Sequence, residues 1–195
     1  MTRLLIATLL LASVPAGAAF TWDTLAPLPD PMGFAGGYAG VHNDALIFAG
    51  GANFPDAPPW DDGPKVWYDS VFVLPAPDAT WKKTGSLPRP LGYGVALTTP
   101  RGVVCLGGGD KDRHYADCFA LQWDGERIAT QPLPPMPKPA AFFCGALLGD
   151  TIYVAGGIET PDATKPMHSF WALDLAAESP AWKELEPWPG RPRML

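Results

Sequence analysis

The stretch 45-ALIFAGGANF-54 decides the fold: an apolar run that reads as a buried strand ends abruptly in Gly50 and Gly51, and a polar loop begins. The same event recurs in 102-GVVCLGGGD-110, with Gly107 to Gly109, and in 151-TIYVAGGIE-159, with Gly156 and Gly157. The spacing is about fifty residues, and repeats of that period mark propellers or solenoids. Each unit is then a supersecondary element that buries its faces against its neighbours.

The surroundings of each glycine pair keep one order. Ahead of the pair come a small-residue strand, in GGYAGVH, GYGVALTT or AFFCGALL, and a short turn, clearest at Asn43-Asp44 and Gly149-Asp150, that favours a tight hairpin. After the pair comes a polar loop of variable length, then a third strand: DSVFVL at 69–74, ADCFAL at 116–121 and HSFWAL at 168–173. A fourth strand carries a tryptophan-and-proline signature, 80-TWKKTGSLP-88 and 181-AWKELEPWP-189. Four antiparallel strands per unit cannot bury both faces alone, so the units stack around an axis as a β-propeller. The glycines sit where a strand leaves the sheet at a crowded place that admits no side chain and calls for positive φ. Trp81 and Trp182 are expected to cover the gaps between neighbouring sheets.

The blades are expected at about 30–88, 89–137 and 138–189, with 190–195 opening a fourth. Near the N-terminus, 20-FTWDTLAPLP-29 copies the outer-strand signature with no inner strands ahead of it. It reads as the orphan outer strand of a closing blade. Three complete blades and two unfinished ends imply the front half of a six-bladed protein. The alternative is a short protein that pairs with a second copy to close the ring. Either way, open edges and broad apolar faces predict self-association.

Residues 1–18 read as a cleaved export signal, with Arg3 ahead of the apolar LLIATLLLASV and small residues in 16-AGA-18. A membrane anchor is the weaker reading, because the run falls short of the roughly 20 residues a span requires. The mature chain, 19–195, would be periplasmic or secreted. Its 13 Lys and Arg against 20 Asp and Glu leave a net charge of −7, which argues against nucleic acid and anionic lipid as partners. Cys105, Cys118 and Cys144 are too few and too widely spaced for a metal knuckle or a disulfide framework. Whether Cys105 and Cys118 pair stays open, since adjacent strands rarely offer good disulfide geometry.

The glycine pairs, polar loops and spaced aromatics of residues 34–189 resemble the kelch repeat. Within that superfamily, 36-GGYAGVHNDALIFAGGANFPDAPPWDDGPKVWYDSVFVL-74 is similar to the cyclically permuted branch of the N-acetylneuraminate epimerase (sialic acid mutarotase) family. The resemblance is most specific there and covers about half of the family's length. It implies an all-β kelch propeller and an isomerase without cofactor or metal. Its substrate would be a small sugar of the sialic acid type, whose α and β anomers it interconverts. Opening and closing the hemiketal needs a base for the anomeric hydroxyl, an acid for the ring oxygen and a cation for the carboxylate. The family's Glu and Arg for this task fall in a blade beyond Leu195 in the permuted order, so no matched positions exist here.

The loops after the glycine pairs supply the candidates instead. The second, 107-GGGDKDRHYADC-118, offers Asp110 and Arg113 as the leading polar pair, with His114 as acid or base and Tyr115 beside it. The third offers Glu159, and the entry to the next blade Arg191 and Arg193. The long first loop supplies Phe54, Trp60 and Lys65, with Trp60 exposed among prolines and aspartates. Asn53 and Arg89 complete the substrate-contact set. Trp67, Tyr68 and Trp171 are expected to pack between blades. Two further readings stand beside the mutarotase: a noncatalytic kelch module that binds carbohydrate or protein, and a copper-radical oxidase, whose Tyr, His and Cys ligands do not assemble convincingly here.

Overall fold

The computed structural model describes residues 21–194, so the leader lies outside the described residues. Three four-stranded antiparallel sheets follow one another along the chain. Blade one runs β1 (Tyr38–His42), β2 (Ala45–Ala49), β5 (Ser70–Leu74) and β6 (Lys82–Ser86) from inner to outer strand. A small ribbon of β3 (Ala52–Asn53) and β4 (Val66–Trp67) sits inside its loop. Blade two is β7 (Val95–Thr99), β8 (Gly102–Leu106), β9 (Cys118–Trp123) and β10 (Ile128–Leu133). Blade three is β11 (Cys144–Leu148), β12 (Thr151–Ala155), β13 (Phe170–Asp174) and β14 (Trp182–Glu184). The inner strands β1, β7 and β11 lie side by side. These are consecutive propeller blades, and no helix among the described residues is long and apolar enough to cross a membrane.

Alternation along the middle blade explains why it is buried on both faces. Val103 and Cys105 of β8, with Phe119, Leu121 and Trp123 of β9, pack against Tyr38, Ile47, Val71 and Val73 of blade one. The intervening Val104, Leu106, Cys118 and Ala120 pack against Ile152, Val154, Trp171 and Leu173 of blade three. Cys105 and Cys118 therefore face opposite cores, and Cys105 stands opposite Phe119. All three cysteines are free thiols. Period-2 geometry forbids the pairing left open by the sequence.

The glycine pairs make one repeated joint. The N–H groups of Gly51, Gly108 and Gly157 donate to the carbonyls of Leu91, Ala140 and Arg193, each in the lead-in to the next blade (2.7, 2.7 and 2.9 Å). In each pair both glycines have positive φ, from 55° at Gly107 to 91° at Gly108. Arg193 thus holds the same place as Leu91 and Ala140. The hairpin turn at Asn43-Asp44 is left-handed at both residues (φ 47° and 60°), the backbone that suits two-residue hairpins.

Two outer strands depart from expectation. β10 lacks the tryptophan signature altogether. Residues 21–30 form no strand, yet Trp81 Nε1 donates to the Ala26 carbonyl (2.7 Å) just as Trp182 Nε1 donates to that of Pro134 (2.9 Å). Each tryptophan covers the gap between sheets by hooking the segment ahead of its own blade.

Candidate functional site

The loops after the three glycine pairs leave their blades at the same end. The first is an arm built on the β3–β4 ribbon, and a 3₁₀ turn at Pro59–Asp61 closes its tip, with Asp62 left-handed behind it (φ 57°). Proline at the start of that turn removes a donor that would have no partner and leaves Trp60 standing outward, 80% exposed. The second loop is short because Asp110 closes it: Asp110 Oδ1 accepts from the N–H groups of Asp112 (2.8 Å) and Arg113 (3.0 Å). A third clasp joins Ile158 to Ala141 at the start of the last loop.

Two adjoining cavities open among these loops. The larger, of about 610 Å³, is walled in part by Phe34, Asn53, Phe54, Trp60, Lys65 and Tyr93. The smaller, of about 240 Å³, is walled by Lys65, Trp67, Tyr93, Asp110, Lys111, His114, Phe142 and Ile158, among others. Lys65 and Tyr93 belong to both. Sequence reasoning missed Tyr93 and Phe142, which it placed inside inner strands. Both are left-handed instead (φ 63° and 56°) and stack on each other at 4.7 Å. They occupy the place of Gly36 in blade one (φ 66°), and the Tyr93 N–H donates to the Gly36 carbonyl (2.8 Å) as that of Phe142 does to Tyr93 (2.8 Å). Aligning the three blades on their glycine pairs would have exposed them. A bulky residue at positive φ carries strain, and such strain gathers at functional sites. Trp67, expected in blade packing, lines the smaller cavity.

His114 is the best-placed titratable group. It is buried, and its Nδ1 lies 3.0 Å from the Ile158 carbonyl. A carbonyl only accepts, so Nδ1 carries the proton and Nε2 keeps the lone pair. Burial lowers the imidazole pKa below its ordinary value, against smaller opposing effects of the Ile158 hydrogen bond and the Asp110 charge. The ring is therefore neutral at pH 7. A depressed His contributes stability that is full above its unfolded pKa of about 6.5 and is lost as pH falls through the folded value. The thermal midpoint of the native protein is expected to fall more steeply on acidification below about pH 6.5 than that of His114→Gln; parallel curves would show that His114 is not the group concerned.

The other candidates are engaged elsewhere. Burial pushes the Asp110 carboxyl up, but hydrogen bonds from Tyr115 (2.5 Å), Asp112 and Arg113 outweigh it and hold the group below its ordinary pKa. Asp110 is a loop brace with its oxygens occupied. Arg113 is exposed, donates to the Tyr115 hydroxyl (3.3 Å) and lies 5.2 Å from that ring, outside both cavity walls. The leading Asp110–Arg113 pair thus organises the second loop around Tyr115. Arg89 pairs with Asp117 and covers the Tyr115 ring at 4.3 Å. Glu159 pairs with Lys138 (3.5 Å), and the exposed Arg191 and Arg193 give their backbone carbonyls to Trp188 and Gly157. Asn53 does line the larger cavity, but its amide donates to the Gly33 carbonyl (2.8 Å) and accepts from the Tyr68 hydroxyl (2.8 Å). Among the described residues no three His, Cys, Asp or Glu side chains gather as a metal site.

Consecutive four-stranded blades joined by glycine pairs, with aromatic and polar loops converging at one end, define a kelch-type β-propeller. The solved structure of YjhT has the same fold: it superposes with a TM-score of 0.71 at 13% identity, over 88% of this chain and 57% of YjhT. The sequence model of the N-acetylneuraminate epimerase family matches residues 12–130, more than half of the chain, which belongs to that family. The N-acetylneuraminate epimerase of Brucella suis is 36% identical over 62% of this chain and 34% of its own length. N-acetylneuraminate epimerase 1 of Escherichia coli O6:H1 is 38% identical over 55% of this chain and 31% of its own, and the Vibrio cholerae enzyme 31% identical over 55% and 32%. The chain spans about a third of the length of the curated relatives it matches.

Proposed function

We propose that these loops form part of the site of a sugar mutarotase that interconverts the anomers of N-acetylneuraminic acid or a close relative. One observation carries the reading: in a member of the N-acetylneuraminate epimerase family, three glycine-pair loops converge on adjoining cavities walled by aromatic rings, a cation and a neutral imidazole. Aromatic faces suit the apolar side of a sugar ring. The reaction removes the proton of the anomeric hydroxyl, breaks the bond from the anomeric carbon to the ring oxygen and protonates that oxygen. Reclosure on the other face reverses each transfer, so nothing is consumed. On this reading His114 Nε2 accepts the first proton, because Asp110 is already held by three donors. The chain also acts after export, and its open propeller edges self-associate.

Proton NMR of freshly released α-N-acetylneuraminate tests the reaction. Acceleration of β-anomer appearance by the protein, reduced about a hundredfold or more in His114→Gln, is the expected result. Equal rates with and without protein would leave a carbohydrate-binding module, recognisable by shifts of the sugar resonances alone.

A further inference from the structure

Lys65 holds an unusual position. Its Nζ lies 4.2 Å from the centroid of the Tyr93 ring, 5.1 Å from that of Trp67 and 5.9 Å from that of Phe54. Aromatic faces hold a cation in place without neutralising it. The side-chain ion pairs among the described residues are Arg89–Asp117, Arg127–Asp124 and Lys138–Glu159, so Lys65 has no carboxylate partner there. Asp110, which shares the smaller cavity, is taken up by its own loop. Beside Lys65, the indole N–H of Trp67 is buried and finds no acceptor. Lys65 is thus a cation shared by the two cavities with no carboxylate partner among the described residues.

Of the other Lys and Arg side chains among the described residues, Lys111 alone lines either cavity. Arg89, Arg113, Arg191 and Arg193 line neither cavity, and Lys111 stands exposed on the second loop at the edge of the smaller one. Lys65 alone is half-buried and common to both. The left-handed Tyr93, stacked on Phe142, keeps the nearest ring under it.

We propose that Lys65, poised over Tyr93 and Trp67 at the junction of the two cavities, anchors the carboxylate of an acidic sugar and so selects charged over neutral sugars. The proposal rests on the sugar-site reading above and assigns the cation that the chemistry requires to a lysine of the first loop, where the sequence had pointed to arginines. An ammonium held among rings keeps its N–H groups for a carboxylate, and the partial enclosure limits screening by salt.

The test is titration of the full chain with N-acetylneuraminic acid and, separately, with its uncharged methyl ester, using the native protein, Lys65→Met and Lys65→Arg. The native protein is expected to bind the acid about tenfold or more tightly than the ester. Lys65→Met should lose that preference while keeping ester affinity within about twofold, and Lys65→Arg should retain most of it. Should Lys65→Met fail to fold, Lys65→Gln, which also removes the charge but keeps a polar stem, carries the same acid-against-ester comparison. Equal binding of acid and ester by the native protein, or an unchanged ratio in Lys65→Met, overturns the anchor and leaves the sugar reading standing. Binding of neither compound overturns both.

Discussion

Gly107→Ala is expected to destabilise the protein by about 3 kcal/mol or more, seen as a lower denaturant midpoint at unchanged slope. Gly107 has φ 55°, and a β-carbon there would stand 2.6 Å from the Ala140 carbonyl oxygen and 2.6 Å from Met136 Cε. Met136 could yield, but the carbonyl cannot, because it accepts the Gly108 N–H that joins blade two to blade three. The same glycine offers its own carbonyl to the buried Tyr38 hydroxyl (2.6 Å), tying blade one to the joint. Strain at Gly107 therefore spreads to both blade interfaces. Gly125→Ala is the control: its φ of 104° is also left-handed, but nothing lies within 4 Å of a β-carbon there. It should cost about 1 kcal/mol, the backbone component alone. Equal losses in the two variants would mean that crowding at the joint contributes nothing.

Trp171→Ala should cost about 3–5 kcal/mol, because the ring is 3% exposed in the core shared by blades two and three, and its removal leaves a cavity that packed sheets cannot collapse. Trp60→Ala is expected to do the opposite on both counts. At 80% exposure it supports no core, so stability should change by less than about 0.5 kcal/mol while affinity for the sugar falls. Thermal melts and sugar titrations of the two variants separate packing from recognition. A stable Trp171→Ala, or an unchanged affinity in Trp60→Ala, would reverse the assignment of that tryptophan.

The blades were legible because their signals are local. A strand that must pack on two neighbours is apolar at successive positions, as Val103 to Leu106 are, and a chain that leaves its sheet at positive φ beside a carbonyl has to use glycine. Both constraints act within a few residues, so the repeat survives inspection without a structure. The outer strand of blade two escaped notice for the same reason in reverse: Ile128–Leu133 needs no tryptophan, because exposed edge positions place few demands on sequence.

The site was legible as a set of loops and as aromatic types, and illegible as roles. Phe54, Trp60, Lys65, Asp110 and His114 do line the cavities, since loop membership follows from the repeat. Which of them remain available follows from partners far along the chain. Arg89 is drawn to Asp117, Glu159 to Lys138, and Asn53 to Gly33 and Tyr68, while His114 is oriented by Ile158, forty-four residues away. The amino-acid sequence by itself determined the blade, its order of strands and the end at which the loops gather, because these rest on backbone geometry and on alternation between neighbours. Only the tertiary structure decided that Tyr93 and Phe142 turn left-handed at the centre, that Arg89 and Arg113 engage Asp117 and Tyr115, and that Lys65 stays unpaired above the rings. The direction of a long polar side chain is set by contacts between blades, and no local pattern encodes them.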